Sequence, residues 1–287
     1  AELMKIKLST ERTFGTDTDI FAIVLPKKAS KTLPKELDSK LAEELSRILK
    51  ADKFSAKAGR VIAVRPLGGL GCKWILLVGG GDGSPNSLRR AAGEAAFFAR
   101  KKGAKKMSVV FSEKINGQDP EAHAVVEGLY EGNYQFDRYK PKTKQKSALT
   151  HVHLMGLAAK AKATARAEAY ACGQTLSRNL VNEPAAVIYP ESLAAVCEGL
   201  SSEQLKVEIW DEKRLKKERM GGIIGVGQGS DRPPRFIHMT WTPKGKPSGH
   251  VALVGKGVTF DAGGLSLKPS SGMQTMRCDM GGSAVVA

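Results

Sequence analysis

The sequence predicts an α/β protein in which a largely parallel or mixed sheet carries helices on its faces. Three observations support this. Short apolar, β-branched runs alternate along the chain with longer segments of helical period. That alternation builds helix-covered sheets rather than sandwiches or bundles. With 287 residues and 41% hydrophobic content, the chain has enough length and apolar mass for one large or two ordinary domains.

The elements follow in order. Residues 20–25 form the first apolar strand, and residues 33–49 an amphipathic helix with Leu37, Leu41, Leu45 and Ile48 on one stripe. Residues 60–64 and 74–78 are strands, the second followed by the glycine loop 79–83. That loop lacks nucleotide-binding spacing and reads as a tight turn. A helix over 87–102, a strand over 107–111 and a helix over 120–130 come next. A basic loop over 138–146 and a strand over 151–155 complete this region. Residues 158–181 are rich in Ala, Lys and Arg and form a long helix, ended by Asn182-Glu183-Pro184 because residues before proline avoid helix. Pro190 opens another helix in its first turn. Residues 206–210 and 235–241 are strands, 212–220 a charged helix, and 221–229 a glycine-rich packed turn. The apolar runs 251–254 and 258–260 read as strands.

The charged residues around those last two runs draw attention. Lys256 lies between Gly255 and Gly257, Asp261 precedes Ala262-Gly263-Gly264, and Lys268 and Asp279 follow. Glycines beside charged side chains suit a site where a ligand approaches the backbone. Asp261 and Asp279 are hard oxygen donors suited to divalent cations. A lysine ligates only as the neutral amine, whereas a charged lysine polarises a carbonyl or holds an oxyanion. Two carboxylates with two amines therefore suit metal-assisted hydrolysis. The competing reading from spacing alone is structural: an Asp before Gly-Gly caps its own turn, and a Lys before Pro sits in a solvated loop.

The stretch GKGVTFDAGGLSLKPSSGMQTMRCDMGG resembles the metal-binding signature of the leucyl aminopeptidase family, the dinuclear-metal cytosol aminopeptidases. Upstream, LSRNLVNEPAAVIYPESLA is similar to the family's lead-in to its catalytic domain, and a weaker similarity covers the rest. The resemblance implies a macro-like N-terminal α/β domain over 1–157, a linking helix over 158–184 and the first part of a mixed α/β/α catalytic domain over 185–287. It implies metal-dependent release of N-terminal, leucine-type residues from peptides. Asp261 bridges two divalent metals, Zn or Mn, and Lys256 and Asp279 ligate the more loosely held one. Lys268 is the catalytic lysine that polarises the scissile carbonyl, and Met276 lines the pocket for the first side chain. It further implies a cytoplasmic homo-hexamer and, in the complete enzyme, a catalytic bicarbonate.

The chain departs from the pattern in two places. Ala262 stands where the family commonly has serine. The family also draws an Asp and a Glu ligand, and an Arg for the bicarbonate, from an N-T-D-A-E-G-R motif, and no such motif occurs here. The expectation is an enzyme truncated before that motif, inactive as this chain alone and unable to hold both metals, or a non-catalytic fragment.

Net charge is +16, with an isoelectric point near 9.7, which invites a polyanion partner. Basic clusters run through Arg100–Lys106 and through Lys140, Lys142, Lys144 and Lys146. Some bacterial members of the family bind DNA. The alternative function is thus a nucleic-acid-binding or scaffold protein with an incomplete peptidase site. Aromatic residues are sparse around the clusters, which disfavours single-strand recognition. The N-terminus lacks an apolar signal core, and no run of 18 or more apolar residues predicts a membrane helix. Cys72, Cys172, Cys197 and Cys278 lack paired spacing and read as reduced thiols. His151 and His153 share a strand face and read as a half-exposed sheet surface rather than a metal site.

Overall fold

The computed structural model describes residues 4–14, 17–66, 71–113, 115, 118–144, 148–158 and 161–287. Lys146, counted in the second basic cluster, lies outside them. The chain divides into two compact units, Ala1–Cys172 and Gly173–Ala287.

The first unit runs β1 (Lys5–Ser9), β2 (Ile20–Leu25), α1 (Ser39–Ala51), β3 (Val61–Val64), β4 (Trp74–Gly79), α2 (Pro85–Lys101), β5 (Lys106–Phe111), α3 (Asp119–Asn133), β6 (His151–Met155) and then α4 (Ala161–Asn182), which continues into the second unit. Its six strands lie in the order β1-β6-β5-β2-β4-β3, all parallel except β3, which pairs antiparallel with β4. This is the mixed sheet that the alternation predicts. The central strand β2 is buried at every position. Strand β1 escapes a search for apolar runs because Lys5 and Lys7 interrupt it. Its Ile6 and Leu8 alternate onto the core face.

Helix α1 starts later than its apolar stripe. Asp38 accepts hydrogen bonds from the amides of Lys40 and Leu41 and sets the N-terminus there, leaving Leu37 buried ahead of the helix. The glycine loop after β4 is a tight turn, with Gly81 and Gly83 at φ of +59° and +82°. Asp82 in that turn accepts from the Ser84 amide and from the hydroxyls of Ser84 and Ser87, and these bonds pull its carboxyl down to about 2. Helices α2 and α3 touch backbone to backbone. A Cβ at Gly128 would lie 2.0 Å from the Arg89 carbonyl oxygen, and one at Gly132 2.0 Å from that of Gly93.

The second unit contains α5 (Pro190–Glu198), β7 (Leu205–Trp210), α6 (Glu212–Lys217), α7 (Gly221–Gly227), β8 (Phe236–Trp241), α8 (Ser270–Met273) and α9 (Gly281–Val286). Two expectations fail here. Residues 221–227 are helical, not a turn. Arg219, at φ +59°, ends α6, the Met220 amide donates to Leu215, and α7 starts at once. The glycines lower helix propensity without forbidding it.

The runs 251–254 and 258–260 form no strand, and Thr259 lies in a bend. The only sheet of this unit among the described residues is the β7–β8 antiparallel pair, which offers them no neighbour. Val251 and Val254 are 88% and 94% exposed. A strand needs a second strand to satisfy its backbone, whatever its side chains. All four cysteines are free. Among the described residues no helix is long and apolar enough to cross a membrane.

Candidate metal centre

Every predicted site residue lies in the second unit, outside its α-helices and strands, with Met276 at the start of a short 3-10 turn. The Lys256 carbonyl accepts from the Ser283 amide at 2.8 Å, which ties residues 255–257 to the start of α9. A Cβ at Gly255 would stand 2.5 Å from the Gly282 carbonyl oxygen, and one at Gly282 2.8 Å from the Lys256 nitrogen. Only two glycines permit that approach. It brings the Lys256 ammonium within 3.1 Å of Asp279 Oδ2. The approach is off the line of a hydrogen bond, so this buried oxygen has charge compensation but no directed donor.

A tight turn forms the other half of the site. Asp261 Oδ1 accepts from the Gly263 amide at 2.8 Å, and the Lys268 amide returns to the Ala262 carbonyl at 2.9 Å. Gly263 and Gly264 take φ of +93° and +70°, which residues with a Cβ rarely adopt. The turn folds Lys268 back so that its ammonium donates to Asp261 Oδ2 at 2.7 Å and lies 3.0 Å from Met276 Sδ. The Lys268 ammonium first, and the Gly263 amide second, hold the Asp261 carboxyl below the usual carboxylate range. The charge of Lys256 acts on Asp261 in the same direction. Ala262 contributes its carbonyl to the turn, a role independent of its side chain.

Two lysine–aspartate pairs thus stand where spacing alone leaves a turn and a solvated loop. The capping reading of Asp261 is also correct as local structure, since the Gly263 bond is such a cap. Sequence reasoning misses the Gly255–Gly282 contact. Its signal is the doubled glycine after Asp279, which marks a close backbone approach without naming the partner. Among the described residues, no three His, Cys, Asp or Glu side chains cluster in a metal-binding arrangement. The donor set is two carboxylates and an amine. Two observations make it fit a divalent cation: Asp279 Oδ2 is buried without a donor, and Asp261 is held ionised.

The cytosol aminopeptidase family's N-terminal domain matches residues 20–143, and its catalytic domain matches residues 175–287. A probable cytosol aminopeptidase of Microcystis aeruginosa is 36% identical over 96% of this chain and 58% of its own length. One of Corynebacterium diphtheriae is 39% identical over 83% of this chain and 47% of its own. The chain therefore spans about half the length of the curated relatives it matches. Among solved structures, a tomato leucine aminopeptidase mutant superposes with a TM-score of 0.83 at 27% identity, over 99% of this chain and 58% of the other. The bottromycin maturation enzyme BotP in complex with Mn gives 0.71 at 28% identity, over 93% of this chain and 54% of the other.

Proposed function

The chain belongs to the cytosol aminopeptidase family, and from that premise we propose that it is the metal-holding part of an aminopeptidase that releases N-terminal, leucine-type residues from peptides. The observation that supports this most is the convergence of Lys256 on Asp279 and of Lys268 on Asp261. In this reading residues 1–157 are the N-terminal domain, 158–184 the linking helix and 185–287 the catalytic portion.

Asp261, Asp279 and Lys256 as neutral amine would hold divalent metal, Mn or Zn. When bound, such metals supply Lewis acidity and a water nucleophile of lowered pKa. The chain's own residues do the remaining work. Lys268 presents a fixed ammonium, anchored by Asp261 and Met276, that polarises the scissile carbonyl and stabilises the developing oxyanion. Met276 borders that ammonium and gives the substrate's first side chain an apolar wall. The Asp, Glu and Arg of the N-T-D-A-E-G-R motif are absent from this sequence, so the residues present supply only part of the family's ligand set. A cytoplasmic homo-hexamer is proposed on the same family grounds.

The test compares hydrolysis of leucine p-nitroanilide with that of its N-acetylated form, with Mn and after chelation, by a polypeptide in which these residues are joined to an N-T-D-A-E-G-R segment that supplies the remaining ligands. Activity confined to the free amine and to the metal-loaded sample supports the reading. Equal cleavage of the blocked substrate overturns it.

A further inference from the structure

The sheet of the first unit is covered unequally. One face packs along its length against α2 and α3. On the other, the core beneath α1 reaches β2, β4 and the ends of β5 and β6, at Val110 and Met155. Among the described residues, the side chains of Lys5, Lys7, His151 and Lys106 at the starts of β1, β6 and β5 are exposed there, whereas Ser108 is buried. Parallel strands are normally buried on both faces, so an open corner on three of them is unusual. In-register pairing fills it with two rows, Lys5–His151–Lys106 and Lys7–His153–Ser108. The rows border a cavity of about 310 Å³, which Asp17 also lines.

The charges in this corner do not balance. Lys106 is ion-paired with Asp17. The Lys5 and Lys7 ammonium groups have no partner among the described residues. His153 Nε2 is buried without a hydrogen-bond partner. Burial first, and the Lys7 charge second, push the His153 imidazole below the ordinary histidine range. An uncharged imidazole carries one N–H, on either ring nitrogen, and that group is the donor it can give a ligand. Adjacent strands lie about 4.8 Å apart, and alternate residues on one strand about 6.7 Å apart. Lys5, Lys7 and His153 are thus within reach of one small ligand.

We propose that this corner is a binding site for a compact multivalent anion of the phosphoryl or pyrophosphoryl type, held by the Lys5 and Lys7 ammonium groups with His153 as N–H donor. Three ammonium groups less the Asp17 carboxylate leave two positive charges, which a dianion neutralises. The residues of this site belong to the first unit and those of the metal centre to the second, and the proposal does not depend on aminopeptidase activity.

The experiment is calorimetric titration of the chelator-treated protein with pyrophosphate, at fixed ionic strength, beside Lys7→Gln and the control Lys213→Gln on α6 of the second unit. The expected result is saturable one-site binding that weakens about fivefold or more in Lys7→Gln and is unchanged in Lys213→Gln; about fivefold corresponds to losing one exposed charge contact, near 1 kcal/mol. Equal weakening in both variants, or no saturable binding, would overturn the site and leave only solvated lysines. The imidazole resonances of the unmutated protein give a second reading, with His153 assigned from a His153→Gln spectrum. They should shift for His153 with the same midpoint, and an unmoved His153 signal would also overturn the proposal.

Discussion

The Lys256 ammonium lies 3.1 Å from Asp279 Oδ2 because Gly255 and Gly282 let the backbone around Lys256 rest against the start of α9. The two charged groups are distant in sequence, and a pair of hydrogen atoms in place of methyl groups is what brings them together.

Gly255→Ala and Gly282→Ala should each separate the pair and weaken Mn affinity about tenfold or more, since even small misplacement of a functional group is costly. A Cβ at Gly257 meets only the Ser283 side chain at 3.4 Å, so Gly257→Ala should leave affinity near its original value. Competition with a metal-sensing dye measures all three.

In a polypeptide completed with the N-T-D-A-E-G-R segment, Lys268→Met should reduce kcat about 100-fold or more with a smaller change in KM, the pattern of a lost transition-state contact. Removing the ammonium also removes the main cause of the lowered Asp261 carboxyl, whose pKa should rise toward the ordinary carboxylate range. Steady-state kinetics on leucine p-nitroanilide, with carboxyl titration by NMR, checks both.

Asp19 is a structural carboxylate. It accepts from the Lys73 ammonium at 2.9 Å and from the amides of Lys105 and Lys106 at 2.9 and 3.1 Å. The Lys73 bond, ahead of the opposing effect of burial, lowers its pKa from 3.8. A carboxyl depressed in the folded state stabilises fully above its unfolded value, and that contribution is lost as pH falls through the folded value. Asp19→Asn should therefore cost about 1–2 kcal/mol at pH 7 and progressively less below about pH 4. Urea unfolding at several pH values measures the difference.

Helix contacts make a sharper pair. Gly128→Ala and Gly132→Ala would drive a methyl into backbone oxygens, and each should cost about 1–3 kcal/mol or more. Gly173 lies within α4 with open space beside it, so Gly173→Ala should stabilise by about 0.5–1 kcal/mol. Thermal denaturation followed by circular dichroism separates the two signs.

The N-terminal sheet is legible because Ile20–Leu25, Trp74–Gly79 and Lys106–Phe111 carry their burial in their own apolar runs. Strand β1 is harder to see, because Lys5 and Lys7 face the open corner and dilute its apolar character. Residues 251–254 mislead in the opposite direction. Their side chains suit a buried strand, but pairing depends on a neighbour that local sequence does not specify. The site residues are identifiable through their motif, and spacing alone leaves them as turn and loop. What spacing does not contain is the Gly255–Gly282 contact, since convergence of distant segments is a property of the fold. The helix over Gly221–Gly227 is not legible because four of its seven residues are glycine, which lowers helix propensity.

The most direct test of the metal-centre reading is an Mn titration followed by electron paramagnetic resonance, on the protein and on Asp261→Asn and Asp279→Asn. This 287-residue chain should take up Mn at fewer than two tight sites, and each substitution should weaken the uptake about 100-fold or more, beyond the 10–100-fold typical of outer-shell partners. Uptake that is unchanged in both variants would contradict the assignment of Asp261 and Asp279. Two tight sites per chain would contradict the reading that the ligand set present here is incomplete.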